Sequence, residues 1–155
     1  NAMMETYLGK ENPQMLPPAK QFVNLLEKNE IRYQYEGTTK SGKDVLVIRF
    51  GGNNMDTISV NFFFSADGED AAIRIFNIAK IPEVKIEAIY PTLNELNSRY
   101  RFAKFCLDSD DSTLQLEMDT AFRAFSAGDV CYELMLRAAN ICDEAYPDLM
   151  KALWR

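Results

Sequence analysis

The chain has 155 residues, 47% of them hydrophobic and 26% charged, and its formal net charge is −6. A chain of this size buries roughly two-thirds of its unfolded surface without staples, and the composition excludes the low-hydrophobicity disordered class. The acidic balance repels phosphate backbones and anionic bilayers, so neither nucleic acid nor a membrane is an expected partner; the basic residues Lys40, Lys43 and Arg49 are interrupted by apolar and polar ones.

Asn1-Ala2-Met3 reads as the scar of a cleaved tag, and residues 1–16 as a flexible lead-in to one domain over 17–155. Pro17-Pro18 followed by Ala19, Phe22, Val23, Leu25 and Leu26 predicts a helix from Pro17 to Asn29, with proline in its first turn. The period then falls to two. Ile31, Tyr33 and Tyr35 alternate with Arg32, Gln34 and Glu36 as a half-buried strand, and Gly37 to Gly42 forms a turn. Leu46, Ile48 and Phe50 make a second strand, Gly51-Gly52-Asn53-Asn54 breaks the chain, and Ile58, Val60, Phe62 and Phe64 make a third. After the Asp67-Gly68 turn, Ile73 and Ile75 start a fourth strand with Asn77 near its end, completing an antiparallel meander.

Helical spacing returns at Ile86, Ile89, Leu93, Leu96 and Tyr100, with Pro91 inside the pattern predicting a kink or a division. Strands over Phe102–Leu107 and Leu114–Asp119 flank an acidic turn at 108–112, the clearest hairpin in the sequence. From Ser126 onward a long amphipathic helix, bent near Tyr146-Pro147, closes the chain. The expected fold is α+β, an antiparallel sheet covered by helices in the order α-β-β-β-β-α-β-β-α.

No catalytic residues, metal ligands or cofactors are expected. The chain contains no histidine, which removes the usual general base near neutral pH, the Ser-His-Asp and Cys-His arrangements and the commonest zinc ligand. Asp108, Asp110 and Asp111 resemble the start of a calcium loop, but Thr113 stands where its glycine belongs and Asp119 where its bidentate glutamate belongs. The glycines match neither phosphate-binding fingerprint, and Glu83 and Glu87, four apart, read as a solvated helix face.

With no apolar run near the ~20 residues that span a bilayer and no leader in evidence, the expected location is the cytoplasm. The three cysteines read as reduced thiols. Cys131 and Cys142 share one helix face about 16 Å apart, too far for a disulfide. Cys106 shares a strand face with Lys104, the arrangement that favours a thiolate.

If Ile58, Val60 and Phe62 face the helices, Asn61 and Phe63 point to the opposite side, and the same alternation places Arg74 and Phe76 beside them. Those four residues form the candidate partner-binding patch, two aromatics on an otherwise polar sheet surface.

One stretch carries a resemblance. The run Leu93-Asn94-Glu95-Leu96-Asn97-Ser98-Arg99-Tyr100-Arg101-Phe102-Ala103-Lys104-Phe105, the acidic turn, the strand after it and a closing helix with Tyr146-Pro147-Asp148-Leu149-Met150 resemble the YbjN-type family. Its members are described as bacterial sensory-transduction regulators, with a fold similar to type III secretion chaperones. The likeness covers residues 82–155, the preceding strands fit in order, and Pro91 departs from the pattern. The resemblance implies a non-enzymatic regulatory or chaperone-like module with a protein partner, or a homodimer. The rival expectation is a small-molecule binder or enzyme with a pocket between the second helix and the sheet, served by Arg99, Tyr100 or Cys106.

Overall fold

The computed structural model describes residues 15–123 and 125–155. In chain order the elements are α1 (Pro17–Lys28), β1 (Gln34–Thr38), β2 (Asp44–Phe50), β3 (Ile58–Phe64), β4 (Asp70–Lys80), a 3-10 turn (Glu83–Lys85), α2 (Ile86–Arg99), β5 (Lys104–Asp108), β6 (Thr113–Ala121) and α3 (Ala127–Trp154). The expected element order is the observed one. All six strands form one antiparallel sheet in the order β1-β2-β3-β4-β6-β5. The first four make a meander; α2 then carries the chain away, and the β5–β6 hairpin returns with β6 against β4 and β5 at the edge.

Alternation decides which face is covered. Ile58, Val60, Phe62 and Phe64 of β3 are buried toward the helices, as are Leu114, Leu116 and Met118 of β6. Phe22 of α1 meets Phe62 and Phe64 with ring centroids at 4.5 and 6.0 Å. α3 contributes Cys131, Met135, Ala138, Cys142 and Ala145, all fully buried, and its small residues let it lie close to α1. A side chain at Gly128 would come within 3.0 Å of the Gln21 carbonyl oxygen. Among the described residues, no helix lies on the opposite face of the sheet.

Several boundaries move for identifiable reasons. Ile31 belongs to the end of α1 rather than to β1: Glu30 takes a left-handed conformation (φ 57°), its amide donates to the Glu27 carbonyl, and the Ile31 amide donates to the Leu26 carbonyl at 2.8 Å. This is a Schellman closure, and the apolar side chain after the left-handed residue packs back on the helix. Gly37, expected in a turn, sits inside β1 at a register shift against β2 with φ 85°. β4 runs on to Lys80 through a second irregularity after Ile75, with Asn77 at φ 53°.

Neither internal proline ends its helix. Pro91 follows one full turn of α2, and Pro147 lies within a continuous α3. A proline at 147 cannot bond the carbonyl of Asp143, and that carbonyl instead accepts from Asn54 Nδ2 at 2.9 Å. The Asp143 carboxylate accepts from three consecutive amides of the same loop, Asn53, Asn54 and Met55, at 2.8–2.9 Å. Those bonds hold the carboxyl below the usual aspartate range. A Cβ at Gly52 would lie 2.3 Å from Asp143 Oδ1, so the glycine run that breaks β2 from β3 is the seat of this carboxylate.

Contacts with the core precede α1 in the chain. Residues 1–14, on which most of the tag-scar and lead-in reading falls, lie outside the described residues. Met15 and Leu16 pack on the core, and the Leu16 amide donates to Asp44 Oδ2 at 2.6 Å. Asp44 is fully buried; its Oδ1 accepts from the Tyr35 and Thr38 hydroxyls at 2.8 and 2.9 Å. Three donors thus offset the desolvation of one carboxylate and tie the start of α1 to the β1–β2 end of the sheet.

Candidate interaction surface

The uncovered sheet face is built by register. One row crosses all six strands as Gln34, Val47, Asn61, Arg74, Glu117 and Lys104, each opposite the next. The neighbouring row holds Val45, Phe63, Ala72 and Asp119. Asn61, Phe63, Arg74 and Phe76 all lie on this face, as the alternation predicts. Phe63 stands opposite Ala72 and Phe76 four residues farther along β4, yet the two rings meet edge to face with centroids 6.2 Å apart. Both rings therefore lean across the Asn61–Arg74 pair. Phe63 is half-buried and Phe76 is 42% exposed.

The polar members are committed within the chain. Arg74 donates through Nη1 to the carbonyls of Ile73 (3.0 Å) and Met118 (2.8 Å) and to Asp119 Oδ1 (2.9 Å), and its Nη2 stands 3.8 Å from Glu117. Asn61 Nδ2 donates to the carbonyls of Ser59 and Arg74 at 3.3 and 3.2 Å. The two phenyl rings are thus the apolar part of the patch, and Phe76 is its exposed member.

Arg99, Tyr100 and Cys106 do not converge. Arg99 bonds Asp148 at 2.8 Å and Glu95 at 2.7 Å, which raises its pKa further. The Tyr100 hydroxyl donates to Glu144 at 3.0 Å. Both residues thus spend their polar groups binding α2 to α3. Cys106 lies on the opposite, uncovered face, where Gln115 is its strand partner. Between α2 and the sheet, Ile89, Leu93 and Leu96 are packed into the core.

The thiols are not activated. Burial, followed by the charge of Glu117, pushes the Cys106 thiol up and outweighs the opposing Lys104 and Arg74 charges, so the expected ammonium effect loses to desolvation. Burial pushes Cys131 and Cys142 up to about 12. All three are free cysteines.

The acidic turn is engaged with its own backbone. Asp108 Oδ1 accepts from the Asp110 amide at 2.9 Å, and Asp111 Oδ1 from the Thr113 amide and hydroxyl at 3.1 and 2.6 Å. Among the described residues, no group of three His, Cys, Asp or Glu side chains is placed to hold a metal ion. No described helix is long and apolar enough to cross a membrane.

Residues 18–150 match the model of the family YbjN, described as "Putative bacterial sensory transduction regulator". The chain belongs to the YbjN family. The match reaches back through β1–β4 to α1, well beyond the residue-82 limit of the likeness drawn from the sequence. A search of curated proteins found no match. Among the described residues, no helix covers the sheet face that carries Phe63 and Phe76.

Proposed function

We propose that this YbjN-family chain is a non-enzymatic regulatory module that works by binding another protein through its uncovered sheet face, with Phe63 and Phe76 as the anchor. The edge-to-face ring pair carries the reading: Phe76 is 42% exposed, while Arg74 and Asn61 beneath the pair are already hydrogen-bonded. Aromatics on a rigid sheet lose little conformational entropy on binding, and such residues dominate interface energetics. The family description, a sensory transduction regulator, is compatible with a signalling role for that contact. The packed space beneath α2 and the dispersal of Arg99, Tyr100 and Cys106 weigh against the small-molecule or enzymatic alternative.

The test is affinity capture from lysate of the source organism with wild type and a Phe63→Asp, Phe76→Asp double variant whose folding is confirmed by circular dichroism. Sedimentation of both proteins is run alongside, so that a second copy of the chain is scored as a partner. A stoichiometric protein, or a dimer, lost with the folded variant supports the reading. Partners retained equally by both proteins refute it.

A further inference from the structure

β6 is longer than the edge strand that covers it. β4 pairs with β6 as far as Ala121, whereas β5 pairs only from Lys104 opposite Glu117. Continued by one more hydrogen-bonded pair, the β5 ladder would set Phe102 against Asp119. Phe102 instead adopts φ 73°, a conformation that a bulky L-residue rarely takes, and the strand begins two residues later. Phe102 is 56% exposed, and the guanidinium of Arg137 from α3 lies 5.1 Å from its ring centroid, so the chain has swung from the sheet line toward the helix.

The parity of the ladder identifies the backbone groups this leaves open. Asn97 Oδ1 accepts from the Phe105 amide at 2.7 Å, and Asn97 Nδ2 donates to the Phe105 carbonyl at 3.2 Å. Phe105 therefore faces away from β6, and the β5–β6 bonds are made by Lys104 and Cys106 with Glu117 and Gln115. By the same alternation Asp119 and Ala121 turn their N–H and C=O groups toward the vacated side. The Ala121 carbonyl accepts from the Thr120 hydroxyl at 2.9 Å; among the described residues no backbone partner faces the remaining three groups. Asn97 closes the β5 edge, and among the described residues no side chain closes this one in the same way.

A groove runs along the open edge. Phe102, Met118 and Thr120 on one side and Val130, Glu133 and Leu134 of α3 on the other line a hollow of about 220 Å³. That is below the usual range for a small-molecule pocket and suits a single apolar side chain. Past Ala121 and Val130 the groove opens into a cleft of about 860 Å³ reaching Gly68 and Ser126. At its Phe102 end Arg101 and Arg137 lie over the ring at 5.4 and 5.1 Å, while Glu133 and Asp119 also line the hollow, Asp119 being bonded to Arg74. Arg101 has no ion pair among the described residues, and Arg137 has a 3.5 Å contact with Glu133.

We propose that the open edge of β6 at Asp119–Ala121 accepts an extended segment of a partner protein as an added strand in the line of β5, with an apolar side chain in the hollow and an acidic one beside Arg101 and Arg137. Backbone groups presented at strand spacing select an extended peptide over a helix, and alternate side chains of that peptide reach the apolar floor. Arg101, without an ion pair among the described residues, selects the acidic residue. This site is separate from the Phe63–Phe76 patch and does not depend on it.

A library of random heptapeptides displayed on phage is selected against the full chain, and the enriched peptide is synthesised and titrated. The expected product alternates apolar residues and carries an acid near one end. Ala121→Pro removes an edge-facing N–H without touching a β4 bond and weakens binding about tenfold; the exposed-helix variant Arg137→Glu weakens it as well. N-methylation of alternate peptide amides abolishes binding to the unaltered protein, a control indifferent to any folding defect. Phe76→Asp leaves the affinity unchanged. Failure to enrich any peptide, or a peptide indifferent to N-methylation and Ala121→Pro, overturns the proposal; one lost with Phe76→Asp overturns it in favour of the aromatic patch.

Discussion

Replacing Asp143 by alanine removes the acceptor of three consecutive loop amides while leaving an α3 position that alanine suits. Each net hydrogen bond contributes about 0.5–1.5 kcal/mol, and water reaches the Asn53 and Asn54 amides once the carboxylate is gone, so the expected loss is about 2 kcal/mol. With a urea dependence of about 2 kcal/mol per molar, the unfolding midpoint falls by about 1 M at pH 7. The folded carboxyl titrates below its unfolded value of about 4. Its contribution is therefore complete above that value and is lost as pH falls through the folded pKa, where the wild-type carboxylate also takes up a proton. Urea titrations of both proteins at pH 7 and at successively lower pH should show the gap closing. A midpoint shift below about 0.2 M at pH 7, or a gap that persists unchanged in acid, would refute the clamp.

Other consequences follow from the same geometry. Tyr35→Phe removes one of the three donors to buried Asp44 and should cost about 1 kcal/mol in urea unfolding, whereas Asp44→Leu removes the shared acceptor of all three, leaving the Tyr35 and Thr38 hydroxyls only their mutual bond, and should cost about 3 kcal/mol. Asn97→Ala bares the Phe105 amide and carbonyl; light scattering should show concentration-dependent association that the wild type lacks. With a thiol-specific disulfide reagent at pH 8, Cys106 should react more slowly than a free cysteine because its raised pKa reduces the thiolate fraction. Cys131 and Cys142 should stay silent until urea unfolds the chain.

The fold was legible where period and burial agree. Ile58 through Phe64 alternate cleanly, and β3 is buried on alternate residues; Val130, Cys131, Leu134, Met135, Ala138 and Cys142 mark α3 by their spacing. Misreadings arose where one residue served a longer-range purpose. Ile31 reads as strand by alternation, but its amide closes α1 on the Leu26 carbonyl. The local pattern at Pro147 also gives no sign of Asn54, 93 positions away, which takes up the carbonyl that proline leaves.

The placement of Asn61, Phe63, Arg74 and Phe76 on one face needed only the two-residue period. That Arg74 would be consumed by Met118, Asp119 and Glu117 needed the pairing of β4 with β6, a register no local pattern encodes. The β6 overhang was equally hidden, since it follows from the left-handed backbone at Phe102, a residue whose type favours the strand that its conformation ends.

The most direct measurement of the central claim is amide hydrogen exchange of the chain alone and saturated with the partner recovered by capture. The account predicts slowed exchange concentrated in Ile58–Phe64 and Asp70–Lys80, the strands that carry Phe63 and Phe76, and loss of that protection with Phe76→Asp. Protection confined to the helical layer, with β3 and β4 unchanged, would contradict it.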